Sequence, residues 1–158
     1  MPDVRKGGDK FTAVQFHFHA KSEHTIDGKR YDMEMHIVHV VNEEKGDPVP
    51  IKYSALGFMF DLDDYDESIT PGEMETINAF FDSFKLGNIP EFGKAKDHVL
   101  DDNATVPLGD FVNLMSSAGR WVYTGSLTTP PCTVGVYFQV YDRVLPISRK
   151  HLNLYLDQ

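Results

Sequence analysis

The chain has 158 residues, a length that suits one domain and lets it bury roughly 68–70% of its unfolded surface without staples. Hydrophobic residues at 41%, charged residues at 25% and aromatics at 12% exclude disorder, collagen and coiled coil. A formal net charge of −9 argues against nucleic acid or an anionic membrane surface as partner, and no apolar run approaches the ~18 residues of a membrane span.

Residues 1–158 read as a single domain. The first ten residues are polar, with Arg5, Lys6 and the pair Gly7-Gly8, and contain no apolar stretch of the signal-peptide kind. Residues 11–19 alternate as a strand does, with Val14, Phe16 and Phe18 on one face and Gln15, His17 and His19 on the other. Asp27-Gly28 supplies turn chemistry for an antiparallel return. The second strand, 31–41, carries Asp32, Glu34, His36 and Val38 on one face, with Met33, Met35 and Ile37 opposite. Residues 51–60 form a third strand. The acidic stretch 61–67 lacks the glycine and glutamate that a calcium loop needs at its sixth and twelfth places, and reads as a solvated turn.

Thr70-Pro71-Gly72-Glu73 has the spacing of a helix capping box with proline at the first helical position. Met74, Ile77, Phe81 and Phe84 continue at helical spacing, and Gly87 marks the expected stop. The cluster Phe80, Phe81 and Phe84 reads as core packing. Asn103-Ala104-Thr105 is a glycan acceptor only if the chain is secreted. Residues 120–123 suggest a short strand, Val134, Val136, Phe138 and Val140 alternate in another, and a short helical turn follows Ser148. Strands dominate, so the predicted fold is mostly β, an antiparallel sheet with a few short peripheral helices. The lone Cys132 excludes an internal disulfide and any multi-cysteine zinc site, and reads as a buried small hydrophobe.

The histidines carry the chemistry. His17 and His19, two apart on a strand, leave the same face. By itself such a pair is more often two surface histidines. Pairing the two strands antiparallel, however, brings His36 to the same point, and zinc held by three histidines with an open fourth position is a catalytic geometry. Gln15 and Glu34 stand two residues from His17 and His36, placed to accept the second ring proton of a ligating imidazole. His24 and His39 read as hydrogen-bonded structural residues, and His98 and His151 as loop and helix-surface residues. A rival template shares part of the stretch: His17, His19 and Glu23 have the spacing of half a cupin metal site, which would hold iron or manganese. The second half of that motif is missing near His36.

Three blocks, residues 15–19, 22–28 and 34–39, resemble the signature of the α-class carbonic anhydrases. Gly125-Ser126-Leu127-Thr128-Thr129-Pro130-Pro131-Cys132 is similar to that family's active-site loop, and Tyr53-Ser54-Ala55-Leu56-Gly57 to its pocket strand. The likeness runs from about Phe11 to Tyr155. It implies an antiparallel β-sheet of that family's type, a zinc cofactor and reversible hydration of carbon dioxide to bicarbonate and a proton. His17, His19 and His36 match the zinc ligands, with Gln15 and Glu34 as their outer partners. Thr128 matches the hydroxyl that orients the attacking hydroxide, its backbone N–H matches a bicarbonate donor, and Glu23 matches the carboxylate that holds the hydroxyl. Val38, Ala55, Leu127 and Val136 match the apolar wall for carbon dioxide, with Thr129 beside them, and Phe138 stands where the family usually has tryptophan.

The resemblance also marks departures. Only about ten residues precede the first histidine strand, so the family's N-terminal third, with its usual histidine proton shuttle, has no counterpart here, and the C-terminal end is short. Uncovered apolar surface at Val14, Phe16 and Phe18 would then favour self-association, a completing chain or a larger assembly. A catalytically weak or silent domain kept for binding or assembly is the alternative function. Cys132 sits where secreted members form a disulfide, which leans towards a secreted or organelle-luminal setting.

Overall fold

The computed structural model describes residues 4–6, 9–42, 51–85 and 105–157. Its elements in order are β1 (Val4–Lys6), β2 (Asp9–His19), β3 (Met33–Val41), β4 (Tyr53–Asp61), α1 (Pro71–Asp82), α2 (Leu108–Asn113), β5 (Arg120–Ser126), β6 (Val134–Tyr141), β7 (Leu145–Pro146) and α3 (Arg149–Leu156). Among the described residues the sheet has seven strands in the order β1-β2-β3-β4-β6-β5, with β7 on the end of β4. Neighbours β1–β2, β2–β3 and β5–β6 are antiparallel, and of these the β2–β3 return is the one the Asp27-Gly28 turn predicts. β4 and β6 are parallel, because more than seventy residues separate them and the chain returns by a crossover rather than a hairpin. The architecture is mostly β, with three short helices among the described residues.

The chain divides into two compact units, Met1–Met59 with Ala118–Arg143, and Phe60–Ser117 with Val144–Gln158. In the first, Met33, Met35 and Ile37 of β3, Ala55, Leu56 and Phe58 of β4, and Val136, Phe138 and Val140 of β6 are buried. The turn before β3 is built as the sequence predicts. Ile26 and Lys29 exchange backbone hydrogen bonds, and Asp27 (φ 51) and Gly28 (φ 81) are both left-handed. That is the backbone a two-residue hairpin turn demands.

One departure in β2 bears on the site. Ala13 pairs with His39 but Gln15 pairs with Val38, so Val14 is the extra residue of a β-bulge. The alternation is rephased there. Phe11, Ala13, Phe16 and Phe18 share one face, opposite Val41, His39, Ile37 and Met35, and Val14 leaves that face. Val14 is 54% exposed, Phe16 and Phe18 are half-buried, and Phe11 is buried. The expected apolar face of Val14, Phe16 and Phe18 is therefore not what this strand presents. Besides Val14, the large exposed apolar side chains among the described residues are Trp121, Val122 and Tyr123 on β5, Val134 on β6 and Leu156 on α3.

In the second unit, α1 starts with the predicted capping box: the Thr70 side chain accepts from the Glu73 N–H and the Glu73 carboxylate accepts from the Thr70 N–H. The helix buries Ile77, Phe80 and Phe81, each worth roughly 1.5–3 kcal/mol. Phe80 stacks on Phe111 of α2 with ring centroids 4.2 Å apart, confirming core packing. α1 ends at Asp82, a turn before Gly87, which lies outside the described residues, as do His98, Asn103 and Ala104.

Three further expectations are corrected. Asp61 is buried rather than solvated, and its carboxylate accepts from the backbone N–H groups of Asp63 and Asp64. His151 is buried rather than on a helix surface, because Nε2 pairs with Asp82 at 2.9 Å and Nδ1 with the Ser148 hydroxyl at 2.9 Å. Cys132 is exposed, not buried, in a left-handed turn (φ 57) whose N–H donates to Thr129.

Candidate metal centre

The β2–β3 register decides the site. His17 lies directly opposite His36, and His19 opposite Glu34. The three imidazole rings form a triangle with centroid separations of 4.8, 4.8 and 5.4 Å. One ring nitrogen from each lies within 4.8 Å of the others, and His19 Nε2 and His36 Nδ1 are 3.2 Å apart. Two nitrogens bound to one zinc at about 2.0–2.1 Å with tetrahedral angles would be about 3.3–3.4 Å apart. The closest pair already has that spacing.

The outer hydrogen bonds fix which nitrogens face inward. Gln15 Oε1 can only accept, so His17 Nδ1 carries its proton at 2.9 Å and Nε2 keeps its lone pair. Glu34 Oε1 accepts from His36 Nε2–H at 2.7 Å, which leaves the His36 Nδ1 lone pair towards His19. Burial pushes His17 and His19 below 6.5, repulsion from His36 acts the same way, and Glu23 offsets only part of this. Neutral imidazole is the form a metal requires.

Glu34 is fully buried and accepts four hydrogen bonds: from His36 Nε2 and His24 Nδ1 at Oε1, and from the backbone N–H groups of Glu23 and His24 at Oε2. Burial would raise its pKa, but the hydrogen bonds from His24 and His36 outweigh it and hold the carboxyl well below the usual carboxylate range. The group His24, Glu34 and His36 also has metal-ligand spacing. Its separations of 2.6 and 2.7 Å are hydrogen-bond lengths and both Glu34 oxygens are engaged, so the structure uses it as outer support. β4 passes close beneath: a Cβ on Gly57 would meet Glu34 Oε1 at 3.1 Å. His39, with Nδ1 donating to the Ile37 carbonyl, is a buried structural histidine as expected.

A cavity of ≈ 380 Å³ opens over the histidines. Val38, Ala55, Leu127, Thr128, Thr129, Val136 and Phe138 line it, together with Gln15, all of them expected pocket or site residues. Val14 and Tyr53 complete the lining; the bulge delivers the first. Thr128 is exposed at the mouth. Glu23 Oε2 is buried without a hydrogen-bond partner, 3.5 Å from His19 Nε2 and 4.0 Å from His36 Nδ1, and among the described residues no hydrogen bond joins Glu23 to Thr128. An orphaned carboxylate oxygen beside three converging ring nitrogens is an environment suited to a cation. The donor set fits zinc.

Gly57, His24 and Tyr123 belong to the site but had no place in the site predicted from the sequence. Each acts across strands, on a partner that only the sheet register brings near.

The family model of the eukaryotic-type carbonic anhydrases matches residues 2–156. The chain is 32% identical over 148 residues to a carbonic anhydrase of Klebsiella pneumoniae, covering 92% of this chain and 49% of that protein. It is 29% identical over 152 residues to alpha carbonic anhydrase 7 of Arabidopsis thaliana, covering 96% of this chain and 46% of that protein. The chain thus spans about half the length of these curated relatives. Among solved structures, the alpha-carbonic anhydrase of Thermovibrio ammonificans in complex with the inhibitor sulfanilamide matches with a TM-score of 0.62 and 30% identity, over 98% of this chain and 57% of that one. The described residues include no helix long and apolar enough to cross a membrane. With the fold, the histidine triangle and these matches in agreement, this chain belongs to the eukaryotic-type, or alpha, carbonic anhydrase family.

Proposed function

We propose that this chain holds one zinc ion on His17 Nε2, His19 Nε2 and His36 Nδ1 and interconverts carbon dioxide with bicarbonate and a proton. The observation that carries this reading is the convergence of the three nitrogens, with the outer N–H groups of His17 and His36 committed to Gln15 and Glu34. Zinc in such a site lowers the pKa of water to about 7, as carbonic anhydrases in general do, and so makes hydroxide available at neutral pH.

The chain's own residues do the rest. Carbon dioxide carries no charge, so its place is the apolar wall of Val38, Ala55, Leu127, Val136 and Phe138, which also excludes water. Thr128 and Thr129 at the mouth offer hydroxyl and N–H groups to the bicarbonate oxygens as the new C–O bond forms. Glu23, acceptor-only when ionised, is the partner for the Thr128 hydroxyl once the loop draws in. The proton leaves to buffer.

A second reading, a silent member of the family kept for binding or assembly, draws its support from Glu23 and Thr128, which are not hydrogen-bonded to each other. The test is zinc content together with stopped-flow carbon dioxide hydration on the purified chain. One zinc per chain with chelator-sensitive turnover supports the first reading. Stoichiometric zinc without turnover supports the second, and iron in place of zinc revives the cupin-like alternative.

A further inference from the structure

Among the described residues, Glu23 Oε2 is the one buried side-chain nitrogen or oxygen that forms no hydrogen bond. Burying a carboxylate oxygen is costly unless some other group satisfies it. The backbone explains why the oxygen is there. The N–H groups of Glu23 and His24 both donate to Glu34 Oε2 at 2.8 Å, so the chain leaving His19 is pinned beside β3 and carries the Glu23 side chain to the histidines. Oε2 lies 3.5 Å from His19 Nε2 and 4.0 Å from His36 Nδ1, two of the three nitrogens that converge. Donors that share one tetrahedral zinc stand about 3.3–3.4 Å apart. The His19 separation is close to that, and a small rotation of the carboxylate would close the other. Charge points the same way: three neutral imidazoles offset none of a divalent cation's charge, and a carboxylate offsets half of it.

We infer that Glu23 is a fourth protein ligand of this metal centre, closing the position that a catalytic site leaves to water. Four protein donors make a closed zinc site, and three with an open position make a catalytic one. The inference rests on the zinc reading and deepens it, because it makes the arrangement described here a resting form. Thr128, exposed at the cavity mouth and not hydrogen-bonded to Glu23, is the competitor for the same carboxylate. Held by the Thr128 hydroxyl, Glu23 leaves the fourth position open; released from it, Glu23 fills that position. The side chain is 31% exposed, so it has room to move between the two places, whereas the fully buried Glu34 has none. The sequence already sets Glu23 four residues beyond His19, and the β2–β3 register adds His36 to make a donor set of three histidines and one glutamate.

The test reads the coordination shell of the full chain loaded with one equivalent of zinc, by crystallography, and with cobalt(II) in its place, by visible absorption. The expected wild-type shell is three histidine nitrogens and one Glu23 oxygen about 2.0–2.2 Å from the ion. Azide, an anion that takes an open metal position, should leave the wild-type cobalt spectrum unchanged and shift that of Glu23→Ala. That variant keeps the backbone N–H that Glu34 holds and removes only the donor. Its zinc dissociation constant should rise at least about tenfold, the low end of what loss of even an outer partner costs. Water in the fourth position of the wild type, with neither Glu23 oxygen coordinated, overturns the inference and leaves the zinc reading standing. So does an azide shift of equal size in wild type and Glu23→Ala. If Glu23→Ala does not fold, the wild-type zinc shell decides alone. No ion on His17, His19 and His36 removes the zinc reading, and the inference falls with it.

Discussion

Replacing Glu34 with glutamine changes one atom and removes one charge, and the structure says how much should follow. The carboxylate accepts four hydrogen bonds in a fully buried place. A glutamine amide offers one oxygen and places an NH2 group where the other oxygen stood. If the amide oxygen serves His24 and His36, the NH2 faces the backbone N–H groups of Glu23 and His24, donor against donor. If it is turned round, the NH2 faces the two imidazoles and drives the His36 proton onto the inward Nδ1. Either way two hydrogen bonds to a charged acceptor are lost, at about 1.5–3 kcal/mol each, so the chain should lose about 3–6 kcal/mol. That is a large share of a typical 5–15 kcal/mol domain stability. Zinc affinity should fall about 10–100-fold. Urea unfolding of the metal-free chain at neutral pH and competition for zinc measure the two effects. The pH dependence has a definite sign. A carboxyl held below its ordinary value of 4.5 contributes fully above 4.5 and loses that contribution as the pH falls towards its lowered folded value. The gap between wild type and variant should therefore be constant above about pH 4.5 and narrow below it. A gap under about 1 kcal/mol with unchanged zinc affinity would refute the account of Glu34, since even one lost charged hydrogen bond should cost more.

Gly57→Ala should destabilise the first unit by about 1–3 kcal/mol and weaken zinc binding, because the new methyl meets Glu34 Oε1 at 3.1 Å and that oxygen is held by two imidazoles; thermal unfolding and zinc competition check it, and a neutral result would mean Glu34 has room to move. Thr128→Ala should keep one zinc per chain and lose most carbon dioxide hydration, because it removes orientation and not coordination; wild-type turnover in that variant would leave Thr128 as lining only.

Much of this was legible in the sequence because it is local. The alternation of β2 and β3, the Asp27-Gly28 turn, the α1 capping box and the His17/His19 pair are each patterns within a few residues, and one hairpin return adds His36. What escaped depends on register or distant partners. The bulge at Val14 is a property of the β2–β3 pairing, and a face assigned by strict alternation is shifted by it. α2 spans only six residues around Gly109 and has no period to detect. His151 has the composition of a surface helix residue until Asp82, 69 positions earlier, is brought to its ring. The Tyr123 hydroxyl acts on His24, 99 residues away, and no spacing rule reaches that far.

The most direct test of the metal centre is anomalous diffraction at the zinc edge from crystals of the chain grown with one equivalent of zinc. The account predicts a single strong peak about 2.0–2.1 Å from His17 Nε2, His19 Nε2 and His36 Nδ1, lost in His36→Ala. A peak on His24 and Glu34 instead, or full zinc occupancy retained in His36→Ala, would contradict it.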